Sequence, residues 1–397
     1  MRIESIEIKN YRVFQDVRIG DANNCPLPNL SVFVGANGSG KTTLFDVFGF
    51  LRDALIGNVR TALQKRGRFQ EVRSRNTEGP IAFEIKFRES LAKPLVTYDL
   101  EIDERNGLPV VAREILKYRR GSRGQPWHFL DFSEGRGSAI TNEMDAVSDE
   151  RELQREDQVL ESPEILAIKG LGQFQKFQAA SLFRRLIENW HVSDFHIGEA
   201  RPSQEAGVAE HLSVSGDNLP LVAQFLYERH RDIFKDILDK MAQRVPGVSH
   251  VDARSTEDGR IVLRFQDGAF KDPFIAKYVS DGTIKMFAYL VLLHDPSPHP
   301  LLCVEEPENQ LYPRLLDELA EEFREYTSKG GQVMVSTHSP DFLNAVKLDE
   351  VYWLTKKDGY TQVRRAADVE QLRRLVDEGD ALGSLWKQGF FEGADPK

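Results

Sequence analysis

A glycine-rich segment near the start of the chain has the residue types and the spacing to hold a phosphate group. In residues 30–44, LSVFVGANGSGKTTL, the pattern G-x-x-x-x-G-K-[ST] is formed by Gly35, Gly40, Lys41 and Thr42. Glycines allow successive backbone N–H groups to curl around a phosphate, and the N-terminus of the following helix attracts the same anion. A lysine in this position neutralises β- and γ-phosphate oxygens, and the threonine hydroxyl is an oxygen ligand for Mg²⁺. The segment predicts nucleotide binding; a glycine-rich turn without a ligand is the alternative.

Two apolar strands in the second half of the chain end in side chains that could assist hydrolysis. The strand LLCV is followed by Glu305 and Glu306, and the strand QVMVS leads to His338. In nucleotide hydrolases an acid near Mg²⁺ and a base that activates water occupy such positions, and an imidazole could donate to a γ-phosphate. Upstream, Ser280 and Gly282 open an apolar helix whose N-terminus favours an anion. Each feature alone is usually structural, but their order after a phosphate-binding loop favours an enzyme that hydrolyses a nucleotide.

The elements that must position these residues follow from the spacing of the apolar side chains. Alternating patterns predict antiparallel strands after the phosphate-binding loop, rather than an immediate strand–helix–strand repeat. In the first 118 residues we predict strands at 3–9, 13–19, 30–34, 81–87, 95–102 and 110–118, with a helix over 42–56. Further on we predict a buried strand at 195–197, one long helix at 218–241, a hairpin of 248–253 with 260–265, strands at 300–304 and 332–336, and helices at 174–190, 283–293 and 313–326.

The least patterned part of the chain lies between residues 119 and 165. Residues 121–137 are rich in Gly, Ser and Arg, which predicts a loop, and the acidic stretch 143–164 predicts a solvated helix. An insert that docks a partner is the alternative interpretation of this region.

Composition and charge limit the function classes. The chain has 397 residues, 41% hydrophobic and 29% charged, with a net charge of −10, which is ordinary for a globular protein and disfavours binding of nucleic acid by overall charge. A basic stretch between Arg60 and Arg75 could still contact a phosphate backbone, and a solvated loop and helix face is the alternative. The two cysteines, Cys25 and Cys303, cannot form a thiol-based metal cluster. Without a signal-peptide core or a long apolar run, we expect a cytoplasmic protein without membrane contact.

In this order of motifs the chain resembles the ABC-type ATPase heads of SMC, RecF and related repair proteins. It is most similar to the bacterial SMC/RecF-like "AAA family ATPase" group, which also supplies the heads of OLD-family proteins and of several anti-phage defence systems. The resemblance extends from IEIKNYRVF to GSLWKQGFF and is weakest between residues 119 and 190. It implies an α/β P-loop NTPase of ABC/SMC-head type, with a mixed core sheet, an added antiparallel β-subdomain and a helical insert.

The resemblance also implies a division of the chain. Residues 1–118 would form an N-terminal lobe with the Walker A loop and the antiparallel sheet, and residues 119–192 a variable, mostly helical insert. Residues 193–397 would form a C-terminal lobe with the signature, Walker B, D-loop and switch histidine. The lobes would make one composite ATPase domain.

The family's functional residues can be placed on matching positions of this sequence. Glu306, Lys41 and His338 would be catalytic, and Thr42 and Glu305 would hold Mg²⁺. The nucleotide-binding positions would be Arg12, Gly35, Ala36, Asn37, Gly38, Ser39, Gly40, Lys41, Thr42, Thr43, Ser280, Gly282 and Asn309.

Three positions depart from the family's pattern or stay open. Glu305 is one methylene longer than the usual Asp, which suggests contact with Mg²⁺ through water. Tyr312 replaces a more usual His in the D-loop NQLYP. Gln70 and Gln173 are both candidates for the Q-loop glutamine.

The implied function is a slow, Mg²⁺-dependent ATPase whose two subunits sandwich ATP between the Walker A loop of one and the signature of the other. Nucleotide-driven formation of a homodimer, or of a higher homo-oligomer, would gate a DNA- or effector-directed process, in anti-phage defence for example. The alternatives are a DNA repair or chromosome-maintenance ATPase, and a scaffold that hydrolyses little and holds a toxic effector. The effector would be encoded nearby, and DNA would contact the stretch between Arg60 and Arg75. A metabolic kinase fits less well, since the glutamates and the histidine at the late strand ends have no role in it.

Overall fold

The computed structural model describes residues 1–119, 125–143, 152–195 and 197–394. The strands are β1 (Arg2–Tyr11), β2 (Phe14–Ile19), β3 (Leu30–Gly35), β4 (Ile81–Arg88), β5 (Val96–Arg105), β6 (Leu108–Tyr118), β7 (Trp127–Ser133), β8 (Arg136–Ile140), β9 (Arg155–Val159), β10 (His191–Ser193), β11 (Gln204–Glu205), β12 (Val248–Ser255), β13 (Arg260–Asp267), β14 (Phe274–Ile275), β15 (Leu301–Glu305), β16 (Gln332–Thr337), β17 (Val351–Lys357) and β18 (Tyr360–Arg365).

The α-helices are α1 (Lys41–Ile56), α2 (Val59–Gln64), α3 (Phe69–Val72), α4 (Ala167–Leu171), α5 (Gln178–Glu188), α6 (Ile197–Ala200), α7 (Leu219–Arg229), α8 (Arg231–Arg244), α9 (Asp281–Leu293), α10 (Arg314–Ser328), α11 (Pro340–Asn344), α12 (Glu370–Asp377) and α13 (Leu382–Lys387). Short 3₁₀ turns occur at Ala276–Tyr278, Leu348–Glu350 and Ala366–Asp368. Across the described residues, every helix is too short or too polar to cross a bilayer.

The chain forms two compact units. The first contains Met1–Trp190, Asp349–Arg374 and the described residues from Gly389 onward, and the second contains His191–Leu348 and Leu375–Gln388. The division into lobes at residues 118 and 192 stays a prediction.

An eight-stranded antiparallel sheet makes up much of the first unit. Its strand order is β2-β1-β4-β5-β6-β7-β8-β9. In β4 every second residue is buried, as expected for a strand with one face on a core. Helix α5 packs on the sheet through Phe183, whose ring lies 4.7 Å from that of Phe87 and 4.4 Å from that of Tyr98. The antiparallel sheet after the phosphate-binding loop is therefore confirmed.

Strand β3 carries the glycine-rich segment into the core of the first unit. All six of its residues are buried, as expected for a strand covered on both faces. It pairs in parallel with β17, which in turn forms an antiparallel hairpin with β18. Helix α1 covers this part through Leu44, Phe45, Phe48 and Leu51, all at most 1% exposed.

The second unit is built around three parallel strands, with β15 between β10 and β16. Helix α9 is buried along its whole apolar length, from Ile284 to Leu293. The predicted hairpin is present as β12 and β13, paired in antiparallel register.

The expectation for residues 119–165 was wrong where the structure describes them. Strands β7, β8 and β9 extend the large sheet, with β7 inside the predicted loop and β9 inside the predicted helix. The residues of β9 are exposed or half-buried, so the segment has no apolar pattern that would predict a strand. Its pairing with β8 nevertheless holds it in an extended conformation. Residues 120–124 and 144–151, where other parts of these predictions fall, lie outside the described residues.

Two further predictions in the second unit were wrong in detail. The buried strand runs over β10, where polar His191 and Ser193 take the buried positions, at 3% and 1% exposure. Residues 195 and 197 are not in a strand, and residue 196 lies outside the described residues. The single helix over 218–241 is broken at His230, whose φ of −134° and ψ of 57° are not helical. The break lets α7 and α8 bury separate apolar faces, and it brings the rings of Tyr227 and Phe234 to 5.9 Å.

Candidate functional site

The glycine-rich loop of the first unit has a backbone that requires glycine. Strand β3 ends at Gly35, and α1 begins at Lys41 after the turn 36–40. Gly40 has a φ of +112°, and an added Cβ there would lie 2.6 Å from Oγ1 of Thr361. At Gly35 an added Cβ would lie 2.6 Å from the carbonyl oxygen of Leu354 in β17. The close packing of β17 and β18 against the loop therefore requires glycine at both positions.

Lys41 folds back over this loop. Its Nζ donates to the carbonyl oxygen of Gly35 at 2.7 Å and of Ala36 at 3.4 Å, and the residue is only 7% exposed. Asn37, Gly38 and Thr42 are exposed. The loop therefore combines a positive charge, the N-terminus of a 16-residue helix and an accessible outer side, which together suit a phosphate.

A charged cluster on α1 fixes the start of this helix to its surroundings. Asp46 accepts hydrogen bonds from Tyr11 Oη at 2.7 Å and from Arg66 Nε at 2.6 Å. Arg12 reaches the same carboxylate at 3.3 Å. Burial, with the charge of Asp46 next to the ring, raises the pKa of Tyr11 well above its ordinary value.

At the ends of two parallel strands in the second unit, acids and a histidine meet. Glu306 follows β15 with a φ of +44°, and its N–H donates to the carbonyl oxygen of Ser336 in β16 at 2.9 Å. Its carboxylate contacts Nδ1 of His338. Glu308 accepts hydrogen bonds from the Thr337 hydroxyl at 2.7 Å and from the His338 N–H at 2.9 Å.

This acidic turn has the geometry of a site that can hold a cation or move a proton. One ligand atom from each of Glu306, Glu308 and His338 lies within 4.8 Å of the others. A carboxylate in contact with an imidazole is a common arrangement for general-base chemistry. The sequence singled out Glu306 and His338, but not Glu308 as the residue that joins them.

A family model described as "AAA domain, putative AbiEii toxin, Type IV TA system" matches residues 30–344, which include both the glycine-rich loop and the acidic turn. The chain belongs to this AAA family. No curated protein matches the sequence significantly.

Solved structures of SMC heads share the fold of this AAA-family chain. One is the SMC head bound to the C-winged helix domain of ScpA, with a TM-score of 0.56 and 15% identity over 92% of this chain and 98% of that chain. Another is the SMC head domain with an extended coiled coil, bound to the C-terminal domain of ScpA derived from Pyrococcus furiosus. It has a TM-score of 0.51 and 15% identity over 95% of this chain and 98% of that chain. The predicted P-loop NTPase fold of ABC/SMC-head type is confirmed.

Lys285, which the sequence analysis missed, ties helix α9 of this AAA-family chain to the acidic turn. It lies in α9, is 3% exposed, and donates to the carbonyl oxygens of Asn309 at 2.8 Å and Glu306 at 3.4 Å. Burial lowers its pKa to about 8, against the opposing charges of Glu308, Asp194 and Glu306. A lysine among apolar residues of a helix was the signal in the sequence, since such a lysine requires a partner.

The predicted signature segment at the start of α9 is held by two further contacts. Ser280 caps α9, with its Oγ accepting from the N–H of Thr283 at 3.2 Å. Arg201, also missed by the sequence analysis, pairs with Asp281 and donates to the carbonyl oxygen of Lys277 at 2.9 Å. At Gly282 an added Cβ would lie 2.7 Å from the carbonyl oxygen of Gln310, so glycine allows the two segments to pack.

The predicted site residues thus fall into two groups, each on its own unit. The first group contains Arg12 and residues 35–43, and the second contains Ser280, Gly282, Glu305, Glu306, Asn309 and His338. Of the predicted D-loop residues, Asn309 is exposed and Tyr312 is 72% exposed. Gln70 and Gln173 are both exposed, and the position of the Q-loop stays open.

The basic stretch of the first unit has carboxylate partners at most of its cations. Arg60 pairs with Glu164 at 3.3 Å, Lys65 and Arg66 pair with Asp53, and Arg75 pairs with Glu71. Arg66 is also half-buried, with 10% of its side chain exposed. These contacts favour the solvated-face interpretation over a surface that binds a phosphate backbone.

Proposed function

We propose that this chain binds ATP with Mg²⁺ and hydrolyses it slowly, in a cycle that forms and releases a dimer. The observation that carries the proposal is the acidic turn, where Glu306 contacts His338 at the ends of two parallel strands. The glycine-rich loop with Lys41, in a chain of the AAA family, supports ATP as the substrate.

In this proposal residues 35–43 bind the phosphates through their backbone N–H groups. Lys41 exchanges its bonds to loop carbonyls for bonds to β- and γ-oxygens, so the cost of releasing it from the loop is largely offset. The hydroxyl of Thr42, an exposed residue, and the carboxylate of Glu305, at a strand end, are oxygen donors of the kind that Mg²⁺ prefers and would hold it. The ion would offset charge on the phosphate oxygens.

Glu306 is the proposed base. It would orient the attacking water and accept its proton, while His338 donates to the γ-phosphate and reports its presence to β16. The left-handed backbone at Glu306 and its N–H bond to Ser336 hold the residue in place before substrate binds.

Ser280 would act on ATP bound to a second copy of the chain. It caps a 13-residue helix, whose N-terminal N–H groups favour an anion. Tyr278 and Tyr312 are 71% and 72% exposed, and large exposed aromatics are enriched where subunits meet. Arg12 and Asn309 are proposed to contact the nucleotide from their two groups.

The test is Glu306→Gln, which keeps the shape of the side chain and removes the base. We expect turnover to fall by about 10²–10⁴-fold, the range for loss of general-base catalysis, while the variant accumulates as an ATP-dependent dimer by mass measurement. Glu321→Gln, the same change on an exposed position of α10, should keep wild-type turnover. Normal hydrolysis by Glu306→Gln would contradict the assignment.

For the cellular role, we propose that the ATP cycle restrains or releases a toxic effector, in anti-phage defence or a toxin–antitoxin pair. The description of the matching family, which names a type IV system, supports this role, as do the carboxylate partners of the basic stretch. Expression of the chain with and without its neighbouring gene, for wild type and Lys41→Ala, tests it through cell growth. Growth independent of both would contradict it.

Two measured outcomes would favour the alternatives instead. Duplex DNA that stimulates turnover, less so at high salt, would support a DNA repair or chromosome-maintenance ATPase. A wild type that forms large oligomers without ATP and hydrolyses none would support a nucleotide-bound scaffold.

A further inference from the structure

Two histidines and an aspartate meet in the second unit at residues that the proposed ATPase does not use. Their ligand atoms, one each from His211, Asp295 and His299, all lie within 4.8 Å of one another. His211 precedes α7, whereas Asp295 and His299 lie in the loop between α9 and β15. Three residues from two distant parts of the sequence therefore converge on one point.

The carboxylate of this cluster is fixed by two bonds. Oδ2 of Asp295 lies 2.7 Å from Nδ1 of His211, and Oδ1 accepts from the N–H of Ser297 at 2.8 Å. The side chain of Asp295 is only 4% exposed, whereas that of His211 is 46% exposed. A buried carboxylate next to an accessible imidazole leaves a route by which an ion could reach the cluster.

The two histidines are held through their backbones and rings. The carbonyl oxygen of His211 accepts from the Asn218 side chain at 2.9 Å, and that of His299 accepts from the Tyr326 hydroxyl at 2.5 Å. The ring of His299 stacks on the ring of buried His191, with centroids 4.8 Å apart. Outer contacts of this kind orient ligands in metal sites before the metal binds.

We propose that His211, Asp295 and His299 form a binding site for Zn²⁺. Two imidazole nitrogens and one carboxylate oxygen are a donor set that zinc accepts, with water as the fourth ligand. Mg²⁺ and Ca²⁺ prefer oxygen ligands, so two imidazoles disfavour them. In a tetrahedral zinc site the ligand atoms lie about 3.3 Å apart, whereas here they lie within 4.8 Å of one another, so side-chain shifts on the order of an ångström would bring them to this geometry.

A zinc ion here would link the loop between α9 and β15 to the segment that precedes α7. That loop joins the helix that Ser280 caps, and that contains Lys285, to the strand that ends at Glu305. Zinc would thus stabilise the contact between these two segments of the second unit. The inference stands without the proposed ATPase activity, since it rests on other residues.

The experiment must separate this cluster from the acidic turn, which also contains a histidine. We would therefore use the full chain with His338→Gln as the background, strip it of metal with a chelator and titrate it with Zn²⁺ alone. One zinc per chain should bind, and Co²⁺ in its place should give the visible absorption of a four-coordinate ion. Zinc should also raise the melting temperature, because it binds the folded state.

Addition of His211→Asn is the decisive change. Loss of an outer contact costs metal affinity about 10–100-fold, so loss of a direct ligand should cost more than about 100-fold and abolish the thermal shift. His250→Asn, the same change at an exposed position of β12, is the matched control and should bind zinc normally. An unchanged melting temperature of the metal-free His211→Asn variant would show that the fold is kept.

Two results would overturn the proposal. One is the absence of zinc binding in the His338→Gln background. The other is zinc binding that is unaffected by His211→Asn, which would leave the cluster as a His–Asp hydrogen bond alone.

Discussion

Glu114 in the first unit and Lys285 in the second are both buried ionisable side chains, and burial shifts their pKa values in opposite directions. Burial raises the pKa of Glu114 from 4.5 to about 7, although the N–H groups of Ile168 and Ala167 and the hydroxyl of Tyr98 all donate to it. Burial lowers the pKa of Lys285 from 10.5 to about 8. Each residue is thus disfavoured in its charged form.

The difference between the two lies in what they hold. Glu114, in β6, accepts from the first N–H groups of α4 and so fixes a short helix to the large sheet. Lys285 donates to carbonyl oxygens at Glu306 and Asn309, in the proposed catalytic turn. A buried ionisable side chain therefore stabilises the fold in one unit and positions the proposed reactive groups in the other.

The largest expected effect is on the pH dependence of stability through Glu114. Because the pKa of Glu114 is raised in the folded state, the folded state binds more protons than the unfolded state between about pH 4.5 and 7. Glu114 therefore makes its largest contribution to the free energy of unfolding below pH 4.5, and this contribution is lost as the pH rises to about 7. The loss is about 3 kcal/mol. Glu114→Gln should be less stable at low pH and lack this dependence, as measured by denaturant unfolding from pH 4 to 8. Parallel pH profiles for the two proteins would contradict the shift.

Lys285 should give an effect of similar size with the opposite sign. Its pKa is lowered by folding, so between about pH 8 and 10.5 the unfolded state binds more protons and the free energy of unfolding rises with pH, by about 3 kcal/mol. Lys285→Met should remove this rise, whereas Lys235→Met, at an exposed position of α8, should keep it. If wild type and Lys285→Met have the same slope in that range, the comparison with Glu114 fails.

The same variant tests the role of Lys285 in placing the turn. Without the ammonium the carbonyl oxygens of Glu306 and Asn309 lose a donor, and a displaced catalytic group can cost up to about 10²-fold in rate. We expect ATP turnover of Lys285→Met to fall about 10–100-fold at pH 7. Glu114→Gln, measured under conditions where it is folded, should retain turnover. A turnover loss in both would show that the effect follows stability and not position.

The smallest effect concerns the phosphate-binding loop. The Thr361 hydroxyl donates to the carbonyl oxygen of Ser39 at 2.6 Å, and Thr361→Val removes that bond at constant shape. One such bond is worth about 1 kcal/mol, so ATP affinity should fall less than about tenfold in an equilibrium binding measurement. Thr361→Ser keeps the hydroxyl and should bind like wild type. Equal affinity of all three would show that the loop is set by its glycines alone.

Local patterns in the sequence predicted the parts of the site that depend on local geometry. The loop from Gly35 to Lys41 is defined by backbone conformations that only certain residues adopt. A short sequence motif is therefore enough to predict it. The strand ends at Glu305 and His338 were predictable because an apolar run that stops at a polar residue marks the edge of a parallel sheet. The family resemblance was needed to assign their roles.

Contacts between distant segments were not predictable. Arg201 and Lys285 act through carbonyl oxygens, which every residue carries, so no sequence pattern marks their partners. Buried polar residues misled the strand prediction at β10, since His191 and Ser193 take core positions that apolar residues usually fill. At His230 the apolar spacing continues through a break in the backbone, so a helical period alone could not reveal two helices.

The pairing of β3 with β17 has a consequence for how the protein is made. Thr361, in the strand that follows β17, lies 322 residues after Ser39. A ribosome that adds about 5–20 residues per second therefore needs roughly 15–65 s to reach Thr361 after it has added Ser39. For most of that time β3 lacks its neighbour β17, although all six residues of β3 are buried in the finished fold. The nascent chain therefore exposes the unpaired edge of a strand, a target for chaperones, until β17 has been synthesised.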